Sequence, residues 1–136
     1  MTIYGKGKNS REWMHVQDHC DALLLIYLKG KIGQNYNIGS GMNCKNIDIA
    51  KKLLNIVKNT PTKIKKRVKI KFVKDRPGHD YRYALNNKKI QKELGWKAKI
   101  SLHSGLTQTF NWYLKNKTFF KSVSKKLYIR RLGLRI

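Results

Sequence analysis

Apolar residues fall into short blocks along the chain, and their spacing changes from block to block. The stretch 12–16, Glu12-Trp13-Met14-His15-Val16, reads as a short extended piece behind a turn-prone segment with glycines at Gly5 and Gly7. A helix is predicted over Val16–Lys29. In it Leu23, Leu24, Leu25, Ile26, Tyr27 and Leu28 are consecutive, so apolar groups reach every side and the helix must be buried on more than one face. Gly30 and Gly33 close it, and 35–39 reads as a short strand leading into the turn Gly39-Ser40-Gly41. A second helix, Asn46–Lys58, is amphipathic, with Ile47, Ala50, Leu53, Leu54 and Val57 forming its stripe.

Thr60-Pro61 ends that helix, and a basic loop at 62–66 leads to 68–73, whose alternation predicts a strand. The loop 75–80 interrupts the pattern, and 81–85 follows as a short extended piece. Asn86 or Asn87 can cap a helix over Lys88–Leu94 that Gly95 stops. A last long helix, Leu102–Lys115, carries Leu106, Phe110 and Tyr113 on one face, with Leu102 and Leu114 nearby. The residues after Phe120 are basic but keep Val123, Leu127, Tyr128, Ile129 and Leu132, enough to dock on the rest. The pattern divides the chain into a domain over 1–120 and a docked basic tail over 121–136.

Composition narrows the class. With 136 residues, 40% of them apolar, the chain suits one domain with a modest core. No run approaches the roughly 18 apolar residues of a membrane span, and Met1 opens no apolar signal segment, so the expected location is the cytoplasm. Cys20 and Cys44 show neither CxxC nor His-containing ligand spacing, and both read as ordinary reduced thiols. A net charge of +24, from 31 cations against 7 acids, raises a nucleic-acid hypothesis. Yet 24 of the 31 cations are Lys, spread along the chain, whereas nucleic-acid readers lean on Arg. The charge therefore favours a solvated surface over a nucleic-acid partner.

Against that background the seven Arg stand out. Arg11 and Arg76 each sit beside turn residues, and a guanidinium fork can grip the oxygens of a diphosphate in bidentate fashion. The bland alternatives are a surface carboxylate partner for Arg11 and a stabilised Pro77-Gly78 turn for Arg76. His79 could cap a strand, Asn46 could be a helix N-cap, and Tyr4 could cover a core edge. His15, His19 and His103 read as structural, and Trp13, Trp96 and Trp112 as core or interface aromatics.

Motifs are found along nearly the whole chain. They run from Ile3-Tyr4-Gly5 and Arg11-Glu12-Trp13 through Val16-x-Asp18-His19, Tyr36-Asn37-Ile38-Gly39 and Lys45-Asn46-Ile47-Asp48. They continue with Asp75-Arg76-Pro77-Gly78-His79-Asp80-x-Arg82-Tyr83-Ala84, Glu93-Leu94-Gly95-Trp96, Gly105-Leu106-x-x-Thr109, Trp112-Tyr113 and Arg131-Leu132-Gly133-Leu134. On these the chain resembles the carboxy-terminal part of dTDP-glucose 4,6-dehydratases, in the extended short-chain dehydrogenase/reductase family. The YNIG and ELGW pieces occur in many nucleotide-sugar epimerases and dehydratases, while the run from Asp75 to Ala84 is narrower and selects the dTDP-glucose branch. One departure is Glu12, where the family usually has Asp.

The resemblance implies an α/β fold. It is the carboxy-terminal substrate-binding part of an NAD-dependent epimerase/dehydratase, a small sheet with several helices and the Rossmann half missing. It also implies a dTDP-sugar ligand whose pyrophosphate is held by Arg11 and Arg76. Asn46 adds an amide at a helix start whose free N–H groups favour an anion, Tyr4 lies against the thymine or deoxyribose, and His79 sits near the nucleoside end. The family reaction oxidises glucose C4 with NAD+, eliminates water across C5 and C6, and returns the hydride to C6. That chemistry needs a glycine-rich βαβ site, a Tyr-x-x-x-Lys pair and an acid/base Asp-Glu pair; this sequence lacks the glycine-rich site and the Asp-Glu pair, and its Tyr-x-x-x-Lys spacings, at Tyr4–Lys8, Tyr27–Lys31 and Tyr113–Lys117, come without them.

In the family those segments precede the matched region, so Met1 is expected at an internal position, as in a truncated, split or fragmentary gene product. NAD belongs to the full-length family and is not expected to bind this chain alone. A separate amino-terminal Rossmann half is the expected protein partner, and the all-round apolar helix Val16–Lys29 is expected to need its sheet as a cover. Two other classes stay open: a stand-alone dTDP-sugar-binding module, and a basic nucleic-acid binder.

Overall fold

A computed structural model describes residues 1–61 and 68–122 of the chain. Two short strand pairs and four longer helices build the frame, in the order β1 (Thr2–Tyr4), β2 (Ser10–Glu12), α1 (Val16–Lys29), β3 (Asn43–Lys45), α2 (Asn46–Lys58), β4 (Lys71–Val73), α3 (Lys88–Leu94) and α4 (Leu102–Lys115), with a final turn of helix, α5 (Phe119–Ser122). β1 and β4 are parallel, with Ile3 opposite Phe72 and Tyr4 opposite Val73. β2 and β3 are antiparallel, with Arg11 opposite Cys44, and Ser10 also bridges to Arg82.

The four longer helices occupy the predicted ranges because their end signals are local. Ser101 accepts from the Ser104 N–H at the start of α4, His15 Nδ1 accepts from the Gln17 N–H at the start of α1, and Gly95 ends α3 at φ 67°. Asn86 Oδ1, rather than Asn87, accepts the Lys88 N–H at the start of α3. The strands differ from expectation. The extended piece expected at 12–16 is displaced, since the paired residues are Ser10–Glu12 and Val16 already opens α1. The strand expected at 68–73 pairs only over Lys71–Val73, because β1 offers three partner residues.

The strand expected at 35–39 makes no ladder with any described residue. Side-chain amides hold it instead: Asn37 Nδ2 donates to Asn86 O at 3.3 Å and Asn87 Nδ2 to Gly39 O at 2.6 Å. The stripe of α2 is also rotated, since Ile49, Ala50 and Ile56 are its buried residues and Ile47, Leu53, Leu54 and Val57 are half-buried. The basic loop at 62–66 and most of the tail lie outside the described residues.

A core cluster forms around Ala22, Ile90 and Trp96, with Leu25, Ile26, Tyr36, Ile38 and Leu94 against it, and fastens α1 to α3. Asp18, only 2% exposed, accepts the backbone N–H groups of Lys99 at 3.1 Å and Ile100 at 2.9 Å. The carboxylate thus secures α1 to the approach to α4, a role beyond the favourable place of an acid in a first helical turn. The outer side of α1 is open: Val16, Leu23, Leu24, Tyr27 and Leu28 are exposed, Tyr27 at 85%. An apolar face of that extent marks an interaction site or an aggregation liability.

Candidate functional site

The loop 75–83 gathers the residues that the sequence singles out. It leaves β4 beside Gly5, whose amide donates to Val73 O at 2.9 Å. Gly5 has φ 54°, and a Cβ there would meet Asp75 Oδ2 at 2.7 Å, so glycine supplies both the turn and the room for Asp75. Asp75 Oδ1 accepts the Arg76 backbone N–H at 2.9 Å and the His79 Nδ1–H at 2.7 Å. The His79 hydrogen bond is the main reason the Asp75 carboxyl is held below its ordinary value of 3.8; it outweighs the cost of desolvation, and the Arg76 N–H adds a lesser lowering.

Tyr4 closes one side. The Arg76 guanidinium lies 5.9 Å from the centre of its ring, and His79 meets it edge-on at 6.3 Å. Among the described residues the Arg76 guanidinium has no carboxylate partner. The His79 side chain is only 6% exposed.

Arg11 reaches the same loop from β2. Its Nη1 donates to Ser10 O at 2.7 Å and its Nη2 to Asp80 O at 2.8 Å, while its guanidinium lies 4.5 Å over the Tyr83 ring. Its partners are backbone carbonyls and an aromatic face, so the carboxylate alternative does not hold. Tyr83 in turn donates its hydroxyl to Asp80 Oδ2. That bond raises the phenol above its usual value of 10.0, with Arg11 and Arg76 both pulling it back down. Tyr83 therefore lies within the field of both arginines.

Asn46 stands at the helix start, as expected, but is not the N-cap of the alternative reading. The N-cap of α2 is Lys45, without a side-chain cap bond, and Asn46 is the first helical residue. The Asn46 N–H donates to Asn9 O at 2.9 Å and the Ile47 N–H to Gly7 O at 3.0 Å. Two of the N–H groups at the helix start, those of Asn46 and Ile47, are thus occupied by the Gly7–Asn9 backbone and are not free for an anion. Buried Asn9 also donates Nδ2 to Asp80 O at 3.1 Å, so Asn9 and Arg11 share that carbonyl. Asn9, Asp75, Asp80 and Tyr83 were not singled out as site residues; their placement inside or close to the Asp75 to Ala84 run was the available signal for the last three.

The described residues contain no cluster of three or more His, Cys, Asp or Glu suited to a metal, and no helix long and apolar enough to cross a membrane. Cys20 and Cys44 are both free.

This α/β arrangement is that of part of an extended short-chain dehydrogenase/reductase, and residues 1–109 match the family model described as GDP-mannose 4,6 dehydratase. The chain belongs to that family. Within it the chain is homologous to dTDP-glucose 4,6-dehydratases. It is 40% identical over 136 residues to the probable dTDP-glucose 4,6-dehydratase of Sinorhizobium fredii, covering 98% of this chain and 39% of the relative. The crystal structure of the Bacillus anthracis dTDP-glucose 4,6-dehydratase in complex with NAD superposes with a TM-score of 0.76 at 36% identity, over 88% of this chain and 36% of that one. The dTDP-glucose 4,6-dehydratase DesIV of Streptomyces venezuelae, solved with NAD and TYD bound, gives 0.76 at 35% identity over 88% and 35%. The chain thus spans well under half the length of the relatives it matches.

Proposed function

We propose that the chain is the nucleotide-sugar-binding portion of a dTDP-glucose 4,6-dehydratase, inactive in dehydration without the rest of such an enzyme. The observation that carries this reading is the convergence of Arg11, Arg76, Tyr4 and His79 on the single loop 75–83. A nucleoside diphosphate needs an aromatic surface for its base and cations for its phosphates. Tyr4 supplies the first, with His79 behind it at the nucleoside end, and Arg76 and Arg11 supply the second. Asn46 contributes its side-chain amide alone, because its backbone N–H is engaged.

Among the described residues, β1 and the start of α2 do not suit NAD. The strand β1 runs into a Gly5 to Gly7 turn rather than directly into a helix, and the start of α2 is occupied by the Gly7 and Asn9 carbonyls, which leaves no cradle for a dinucleotide pyrophosphate there. Hydride transfer therefore belongs to residues outside this chain. The expected partner is an amino-terminal Rossmann half, and the open apolar side of α1 supplies a surface for it.

Calorimetry with dTDP on the full chain tests the site. Arg76→Ala is expected to weaken binding by about 1.5–3 kcal/mol, the scale of hydrogen bonds to a charged group. Binding that is indifferent to that substitution sinks the assignment. Conversion of dTDP-glucose to its 4-keto-6-deoxy product by the purified chain with NAD sinks the claim of inactivity.

A further inference from the structure

Among the described residues the buried polar side chains are those of Asn9 and Asp18. A buried polar group is costly unless it is hydrogen-bonded, so its partners define what it does. Asp18 joins α1 to the approach to α4, whereas Asn9, 7% exposed and immediately before β2, turns its amide into the candidate site. Asn9 Nδ2 donates to Asp80 O at 3.1 Å, the same carbonyl that Arg11 Nη2 meets at 2.8 Å. A carbonyl oxygen has two lone pairs, so both bonds coexist, and the donor that fixes the oxygen also fixes where the other donor points.

We infer that Asn9 is a positioning residue for Arg11: by holding the Asp80 carbonyl it sets the direction of the guanidinium before a phosphate arrives. The inference rests on the nucleotide reading of the site. The Asn9 end has little slack. Gly7, two residues earlier, has φ 68°, and a Cβ there would meet Ile3 Cγ2 at 2.9 Å and Ile47 Cβ at 3.0 Å, so the turn is clamped between β1 and α2. The Asn9 carbonyl is itself held by the Asn46 N–H at 2.9 Å. Arg11 is the opposite, a long side chain with many rotamers. Its Nη1 bond to Ser10 O goes to its own neighbour in sequence and sets no direction toward the loop 75–83. The Tyr83 ring, 4.5 Å away, bears on the face of the guanidinium and leaves rotation within its plane open. The Asp80 carbonyl closes that last freedom, and ordering the fork in advance removes part of the entropy cost of binding. Asn9 itself stays buried and acts on the ligand through Arg11.

A double-mutant cycle on the full chain, read by calorimetry with dTDP, tests this. Asn9→Ala removes the amide and leaves the backbone tie to Asn46 in place. It is expected to weaken dTDP binding about tenfold when Arg11 is present and less than about twofold in an Arg11→Met background, the non-additivity of residues that act through one contact. An equal loss in both backgrounds, as a plain structural staple would give, overturns the proposal, and so does no loss in the first. A ligand-free measurement separates this from the nucleotide reading. In ¹⁵N spectra of the wild-type chain the two Nη groups of Arg11 are expected to be resolved by hindered rotation. They are expected to merge in Asn9→Asp, which matches Asn9 in size but lacks the donor. Nη signals unchanged by that substitution overturn the positioning role whether or not dTDP binds. A chain that shows the merging yet binds no dTDP upholds the hold of Asn9 on Arg11 and sinks the nucleotide reading.

Discussion

Asp75 shows how much of the site depends on one side chain that is itself no candidate for ligand contact. It accepts from both the Arg76 backbone and His79, and so orients the two residues that meet Tyr4. Because the folded state lowers its titration, chiefly through His79, the stability it lends is present above its ordinary value of 3.8 and is lost as pH falls through the lower folded value. Carboxyl ¹³C titration is expected to place Asp75 below its ordinary value, and His79→Ala to move it back up. Gly5→Ala is expected to destabilise the chain by about 1–2 kcal/mol in urea, the cost of left-handed backbone for a residue with a Cβ. The same change is expected to raise the Asp75 titration by displacing its carboxylate. Arg11 and Arg76 were legible in the sequence because Arg is scarce and its fork suits phosphates. The Asp80 carbonyl, which takes donors from both Asn9 and Arg11, was not, because a backbone acceptor leaves no trace in residue type.

At the scale of elements the helices were far easier to read than the strands. Periodicity and end residues lie within a helix's own sequence, as with Gly95 behind α3 and Ser101 before α4. The strands are three residues each, and what defines them is a partner 69 positions away in β1 and β4 or 31–35 in β2 and β3, which local pattern does not encode. The rotated stripe of α2 has a similar origin: Ile49 is buried because of what surrounds it, and a count of apolar intervals starting at Ile47 selects the neighbouring face. Asp18 joins elements in the same non-local way. Asp18→Ala is expected to cost about 1–3 kcal/mol in denaturant unfolding, since it strips the Lys99 and Ile100 N–H groups of their acceptor.

For the molecule as a whole, the governing feature is that one helix has two incompatible sides to satisfy. Ala22 and Leu25 of α1 pack into the core, while Leu24 and Leu28 face outward. The double substitution Leu24→Glu and Leu28→Glu is expected to raise the monomeric fraction in light scattering while changing folding stability by less than about 0.5 kcal/mol per site. It is also expected to abolish any dehydratase activity that a co-expressed Rossmann half restores. The charge of +24 predicts adhesion to polyanions that fades steeply with salt, and dTDP competition at fixed salt separates that from occupancy of the arginine site. The YNIG segment at 35–39 gives this a clock. Its two asparagine contacts reach carbonyls, Asn37 Nδ2 to Asn86 O and Asn87 Nδ2 to Gly39 O, and no described residue accepts from its backbone N–H groups, so deuterium is expected to replace their protons within seconds in the lone chain. Recruitment into a sheet would slow that replacement by orders of magnitude, making the Tyr36 and Ile38 amides a label-free meter of assembly.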